Sequence, residues 1–77
     1  MTQMYQSLIG RYVIDAPNKD APYNKLSYYG LRNKACISAV WLSKRQNSLW
    51  ALAVDEYGNA SAVCLSNLGI LTTPSNQ

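Results

Sequence analysis

The 77 residues contain no histidine and no phenylalanine, and only four glycines, three prolines and two cysteines; charged residues make up 14% of the chain. Without imidazole, Ser-His-Asp and Cys-His catalysis are excluded, as are the zinc sets that need a histidine ligand. Without phenylalanine, Trp41, Trp50 and six tyrosines must supply every large ring, and these amphipathic groups suit surfaces that stay partly wet. The longest unbroken apolar run, Leu49 to Val54, falls far short of the ~20 residues of a membrane helix. No basic residue precedes Arg11 and no apolar core of a signal peptide is visible. The expectation is therefore a cytoplasmic protein without a membrane partner.

What is present is a chain of 8.6 kDa that is 48% apolar, which describes one folded domain over residues 1–77. So short a chain buries only about two-thirds of its unfolded surface and has little core to spare for a deep catalytic cleft. The net charge of +3 is unevenly spread. All seven cations, with Asp15 and Asp20, lie in residues 1–45, net +5, and residues 46–77 hold only Asp55 and Glu56, net −2. Such asymmetry fits an anionic partner or simply a solubilising rim. Cys36 and Cys64 lack CxxC spacing and read as small core hydrophobes.

Residues 7–15 alternate as a first strand, and 16–34, with Pro17, Pro22 and Gly30, form a long irregular loop. Residues 35–71 carry most of the apolar side chains as an antiparallel meander with a final strand, and 72–77 form a polar, frayed tail. Gly58-Asn59 has the composition of a two-residue hairpin turn. Pairing Tyr57 with Ala60 places Val54 opposite Val63 and Leu52 opposite Leu65. A four-residue turn at Lys44-Arg45-Gln46-Asn47, closed by Ser43 and Ser48, places Trp41 opposite Trp50, Ala39 opposite Leu52 and Ile37 opposite Val54.

The two registers agree on one apolar face: Ile37, Ala39, Trp41, Trp50, Leu52, Val54, Val63 and Leu65. This face is the expected core. The opposite face, from Cys36 and Ser38 through Ala51 and Ala53 to Ala62 and Cys64, is mostly small and offers a close approach to another backbone, including that of a second copy in a homodimer. The cysteines fall two strands apart on that face, about 9–10 Å, beyond the ~7 Å limit for bridging, so free thiols are expected. Residues 60–71 also carry apolar residues at helical spacing behind Asn59, but Ser66, Asn67 and Gly69 interrupt a helix and the strand reading places more residues.

The expected fold is mainly β: a strand, a long loop, three meander strands, a break at Ser66 to Gly69 and a last strand at Ile70-Leu71-Thr72. Over residues 8–72 this element order resembles the small five-stranded SH3-like barrels, whose first two strands are likewise separated by a long loop; a strongly bent antiparallel sheet satisfies the same pattern. Element order carries no diagnostic motif, and such a fold serves many functions.

Asp55 and Glu56 are adjacent on a strand and point to opposite faces, so they cannot act together on one substrate; two polar residues leading into a turn is the plainer reading. No metal-ligand spacing, phosphate loop or nucleophile elbow is present, and no enzyme, cofactor or metal is expected. The loop is more informative. Tyr23, Lys25, Tyr28, Tyr29, Arg32 and Lys34 interleave phenols with cations, and Lys44 and Arg45 add a second basic turn. Tyrosine and arginine are enriched where proteins dock on proteins, and the same set can stack bases and neutralise phosphates; it can also simply close one end of a core that lacks phenylalanine. The first expectation is a non-enzymatic module that docks on a protein partner as an inhibitor or adaptor, of the kind found among phage and mobile-element accessory proteins. The alternatives are a nucleic-acid-binding barrel using the same loop and a site for an anionic small molecule between subunits.

Overall fold

In the computed structural model, which describes residues 6–71, alternating apolar residues pair into β1 (Tyr12–Ile14), β2 (Ala35–Ser43), β3 (Ser48–Asp55), β4 (Ala60–Cys64) and β5 (Gly69–Ile70). Three short 3-10 turns accompany them: η1 (Pro22–Asn24), η2 (Leu26–Tyr29) and η3 (Leu65–Asn67). The strands form one antiparallel sheet in the order β4-β3-β2-β1-β5. It is a mainly β fold whose sheet is not closed into a barrel.

The first strand is shorter than the 7–15 expected. Residues 7–10 are taken up by turns, with the Ile9 N–H bonded to the Gln6 carbonyl and the Arg11 N–H to that of Leu8. The fifth strand is Gly69–Ile70, because its pairing with β1 runs only from Val13↔Ile70 to Ile14↔Gly69. A Cβ on Gly69 would come 3.1 Å from the Pro17 ring and 3.2 Å from the Asp15 carbonyl, so a larger residue would have to displace both by a few tenths of an ångström, and glycine lets the backbones approach. Residues 60–71 divide into β4, η3 and β5; Thr72 and the expected tail lie outside the described residues.

The β2–β3 hairpin has the expected turn, with Ser43↔Ser48, Trp41↔Trp50 and Ala39↔Leu52 in register. Beyond Ala39 the register shifts, so Ile37 pairs with Ala53 instead of Val54. Ser38 is the extra residue of this bulge, and the effect is to return Ile37 to the same side of the sheet as Val40.

The β3–β4 hairpin corrects the sequence reading. Gly58-Asn59 is not a two-residue turn: the Asp55 carbonyl accepts the Gly58 N–H at 3.3 Å, Gly58 takes φ +89°, and the Asp55 N–H bonds to the Asn59 carbonyl at 2.9 Å. This is a three-residue loop, Glu56 to Gly58, ending in a left-handed glycine. The register becomes Val54↔Ala60, Leu52↔Ala62 and Ala51↔Val63, three positions from the expected pairing. An odd shift exchanges the two faces of a strand.

The core is therefore the small-residue side of the sheet. Ala35, Ile37, Ala51, Ala53 and Val63 are buried there with Leu65 and Leu68, and Leu26 and Leu31 from the long loop close over them. Of the eight residues expected in the core, only Ile37, Val63 and Leu65 are buried. Trp41, 41% exposed, and Leu52, 37% exposed, lie on the outer face, with Trp50, whose buried indole N–H has no hydrogen-bond partner among the described residues. Alanines at 51 and 53 leave room for the leucines of the second layer. Fully burying each of Val13, Leu26, Leu31, Ile37 and Val63 contributes on the order of 1.5–3 kcal/mol. Both cysteines are free; they sit opposite Val54 and Trp50 on the outer face.

Candidate functional site

The long loop is a built layer. Pro22 opens η1, where its fixed φ and missing N–H suit a first helical position. The loop is anchored at both ends: the Leu26 N–H bonds to Asp15 Oδ1 at 2.8 Å, the Asn24 side-chain amide donates to the Asn67 carbonyl at 2.7 Å, and the Arg32 N–H bonds to Asp55 Oδ2 at 3.0 Å. Its leucines face inward, and several of its tyrosines and cations are left outside.

The six loop residues separate into four settings. Tyr23 on η1 and Tyr28 on η2 are 49% and 62% exposed. Tyr28 meets Tyr29 edge to face, with ring centroids 5.1 Å apart at 84°. Tyr29 is half-buried against the core, and its hydroxyl donates to the Tyr23 carbonyl at 3.1 Å. The Tyr28 and Tyr29 rings thus pack together, and Tyr29 ties them to the backbone of the exposed Tyr23. Arg32 is exposed, its guanidinium 5.1 Å from the centre of the Tyr57 ring. Lys34 reaches across Tyr12, with Nζ 4.6 Å from the ring centre. Lys25 lines an open groove of about 560 Å³ with Asp15, Lys19 and Asp20, a wall of mixed charge. Lys44 and Arg45 are exposed in the β2–β3 turn.

Two residues, Tyr57 and Asp55, belong to the site although the sequence did not assign them to it. Tyr57, 60% exposed, joins the loop only because Asp55 ties the hairpin to Arg32. Asp55 itself is buried. Its carboxylate accepts the Asn59 side-chain amide and the N–H groups of Asn59, Tyr57 and Arg32. Burial pushes the carboxyl up, but these four donors outweigh it and hold Asp55 below its ordinary value. The signal that could have found it is the Asp-x-x-Gly-Asn spacing, in which an aspartate accepts backbone N–H groups across its own turn.

Among the described residues no group of three or more cysteine, aspartate or glutamate side chains could hold a metal ion, and no helix is long and apolar enough to cross a membrane. Comparison with protein-family models, with curated proteins and with solved structures returns no match.

Proposed function

We propose that the chain is a small, non-enzymatic docking module that binds a protein partner through a ridge of exposed tyrosines, the packed pair Tyr28 and Tyr29 with Tyr23, together with Arg32 and Tyr57. The observation that carries this reading is the preorganisation of exposed rings. Tyr28 and Tyr57 are mostly exposed, and each ring packs against a neighbour, Tyr28 on Tyr29 and Tyr57 beneath Arg32. Rings already held in place lose little freedom on binding, and tyrosine and arginine are the residues that dominate protein-binding hot spots. The strand order, the long segment between β1 and β2 and the 3-10 turn between β4 and β5 support an SH3-like path for the chain, open at its edges.

A protein partner is favoured over nucleic acid because the cations do not converge. Lys25 faces a groove with two carboxylates, and Arg32 and Lys34 lie over separate tyrosines. The test is affinity capture from the native host with wild type and with the double variant Tyr28→Ala, Arg32→Ala. A protein retained by wild type and lost by a variant of unchanged circular dichroism supports the ridge. Equal retention by both removes it, and salt-sensitive binding to random oligonucleotides in place of any protein overturns the choice of partner.

A further inference from the structure

β4 is the last strand on its side of the sheet, and apart from the Cys64 carbonyl, which caps η3, no backbone hydrogen bond from a turn or loop ends on it among the described residues. Its pairing with β3 is regular, and the Asp55 N–H to Asn59 carbonyl bond fixes which pairs exchange hydrogen bonds. By the alternation of antiparallel ladders, Asn59, Ser61 and Val63 spend their backbone groups on β3, and Ala60, Ala62 and the Cys64 N–H point outward, the Cys64 carbonyl being taken up at the N-cap of η3. The Ser61 hydroxyl makes one long contact, 3.4 Å, with the Ala62 carbonyl, which leaves that oxygen a second lone pair.

Natural sheets protect such an edge with charge, proline or a bulge. This one has none: Ala60-Ser61-Ala62-Val63-Cys64 is uncharged, contains no proline and pairs without irregularity. Ala60 and Ala62 are exposed, and the face that continues from them carries Leu52, Val54, Trp50 and Trp41, again without a charge.

We propose that β4 pairs with β4 of a second copy of this chain, antiparallel about a two-fold axis at Ala62, so that two five-stranded sheets join edge to edge. The strand is complementary to itself in this register. Ala62 meets Ala62 of the copy, and Ala60 meets Cys64 at either end, where the Cys64 carbonyl is already used at the N-cap of η3, giving about four new backbone hydrogen bonds from groups without a partner among the described residues. Small side chains let the edges approach, and no like charges meet although each chain carries +3. A second copy suits the edge better than a charged foreign strand, because nothing along it would select such a partner.

The test is the oligomeric state of the full chain by sedimentation from micromolar to millimolar concentration. A monomer–dimer equilibrium is expected. Ala62→Pro removes an outward N–H but no ladder bond, so it should weaken dimerisation about tenfold or more with circular dichroism unchanged; Ala62→Lys, which sets two cations together, should do the same. In a Cys36→Ser, Cys64→Ser background, Ala62→Cys should oxidise rapidly to a disulfide dimer, because hydrogen-bonded partners lie about 5.5 Å apart between Cα atoms. Leu52→Cys, exposed on the same face but one strand in, should not. A monomer at every concentration, a dimer indifferent to both Ala62 variants, or cross-linking no faster at 62 than at 52 would overturn the proposal.

Discussion

A single carboxylate closes the β3–β4 loop and fastens it to the long segment. Asp55 accepts four hydrogen bonds, three from its own hairpin and one from Arg32. Its pKa is lowered by these donors, so near the ordinary carboxylate range the unfolded chain binds the proton more readily than the folded one. The contribution to stability is complete above that range and is lost as pH falls through the lowered value of Asp55. Urea unfolding followed from neutral to acid pH should show this loss. Asp55→Asn, which puts an amide donor among donors, should lower the melting temperature by several degrees at neutral pH and flatten the acid dependence; an unchanged acid slope would assign it to other carboxylates. Gly58 is the second decisive residue of the loop. At φ +89°, Gly58→Ala should destabilise by about 1 kcal/mol or more, measured by chemical denaturation.

Among the elements, the sheet and the layer over it make opposite demands on side-chain size. Ala51 and Ala53 are fully buried in the same core cluster as the leucines of the long segment and Leu65 of η3, so Ala53→Leu should overpack the core and cost about 1–3 kcal/mol. Leu26→Ala should leave a cavity and cost roughly 2–5 kcal/mol. Leu52→Ala, on the open outer face, should cost about 1 kcal/mol or less. Equilibrium unfolding of the three variants ranks them; a larger loss at Leu52 than at Leu26 would return the core to the face that hydrophobicity alone selects. The turn at residues 44–47 and the pairing of Trp41 with Trp50 were readable, because four polar residues separate two alternating runs. The bulge at Ser38 and the loop ending at Gly58 were not. Each changes register by an odd number, and periodicity within one strand carries no information about its neighbour's offset.

At the scale of the whole molecule, charge asymmetry does not become a basic surface. Five of the seven cations, Lys25, Arg32, Lys34, Lys44 and Arg45, are distributed among the mixed-charge groove, two tyrosine rings and a distant hairpin. Retention on random oligonucleotides at low salt should accordingly be weak. Four cations converging on phosphates would instead give log K falling with log salt at a slope of about −3 to −4, and a slope that steep would argue for nucleic acid. The tyrosines of the long segment were singled out by composition, but Tyr57 was not, since its partner Arg32 is brought to it only by the folding of the loop onto the hairpin.

The sequence by itself determined the class: a mainly β chain, without the side chains for histidine-based chemistry, in which strands are separated by one long interruption. These follow from composition and local periodicity, which every window of the chain carries. The tertiary structure decided which face of the sheet is buried and what the interruption does. Trp41, Trp50 and Leu52 remained on the outer face because Leu26 and Leu31 of the long segment join Ala51, Ala53 and Ile37 in the core on the other face, a packing condition between residues far apart in the chain. The absence of histidine and phenylalanine thereby acquires a second meaning. The rings that replace them are largely surface groups, and the core is built from aliphatic side chains of two layers.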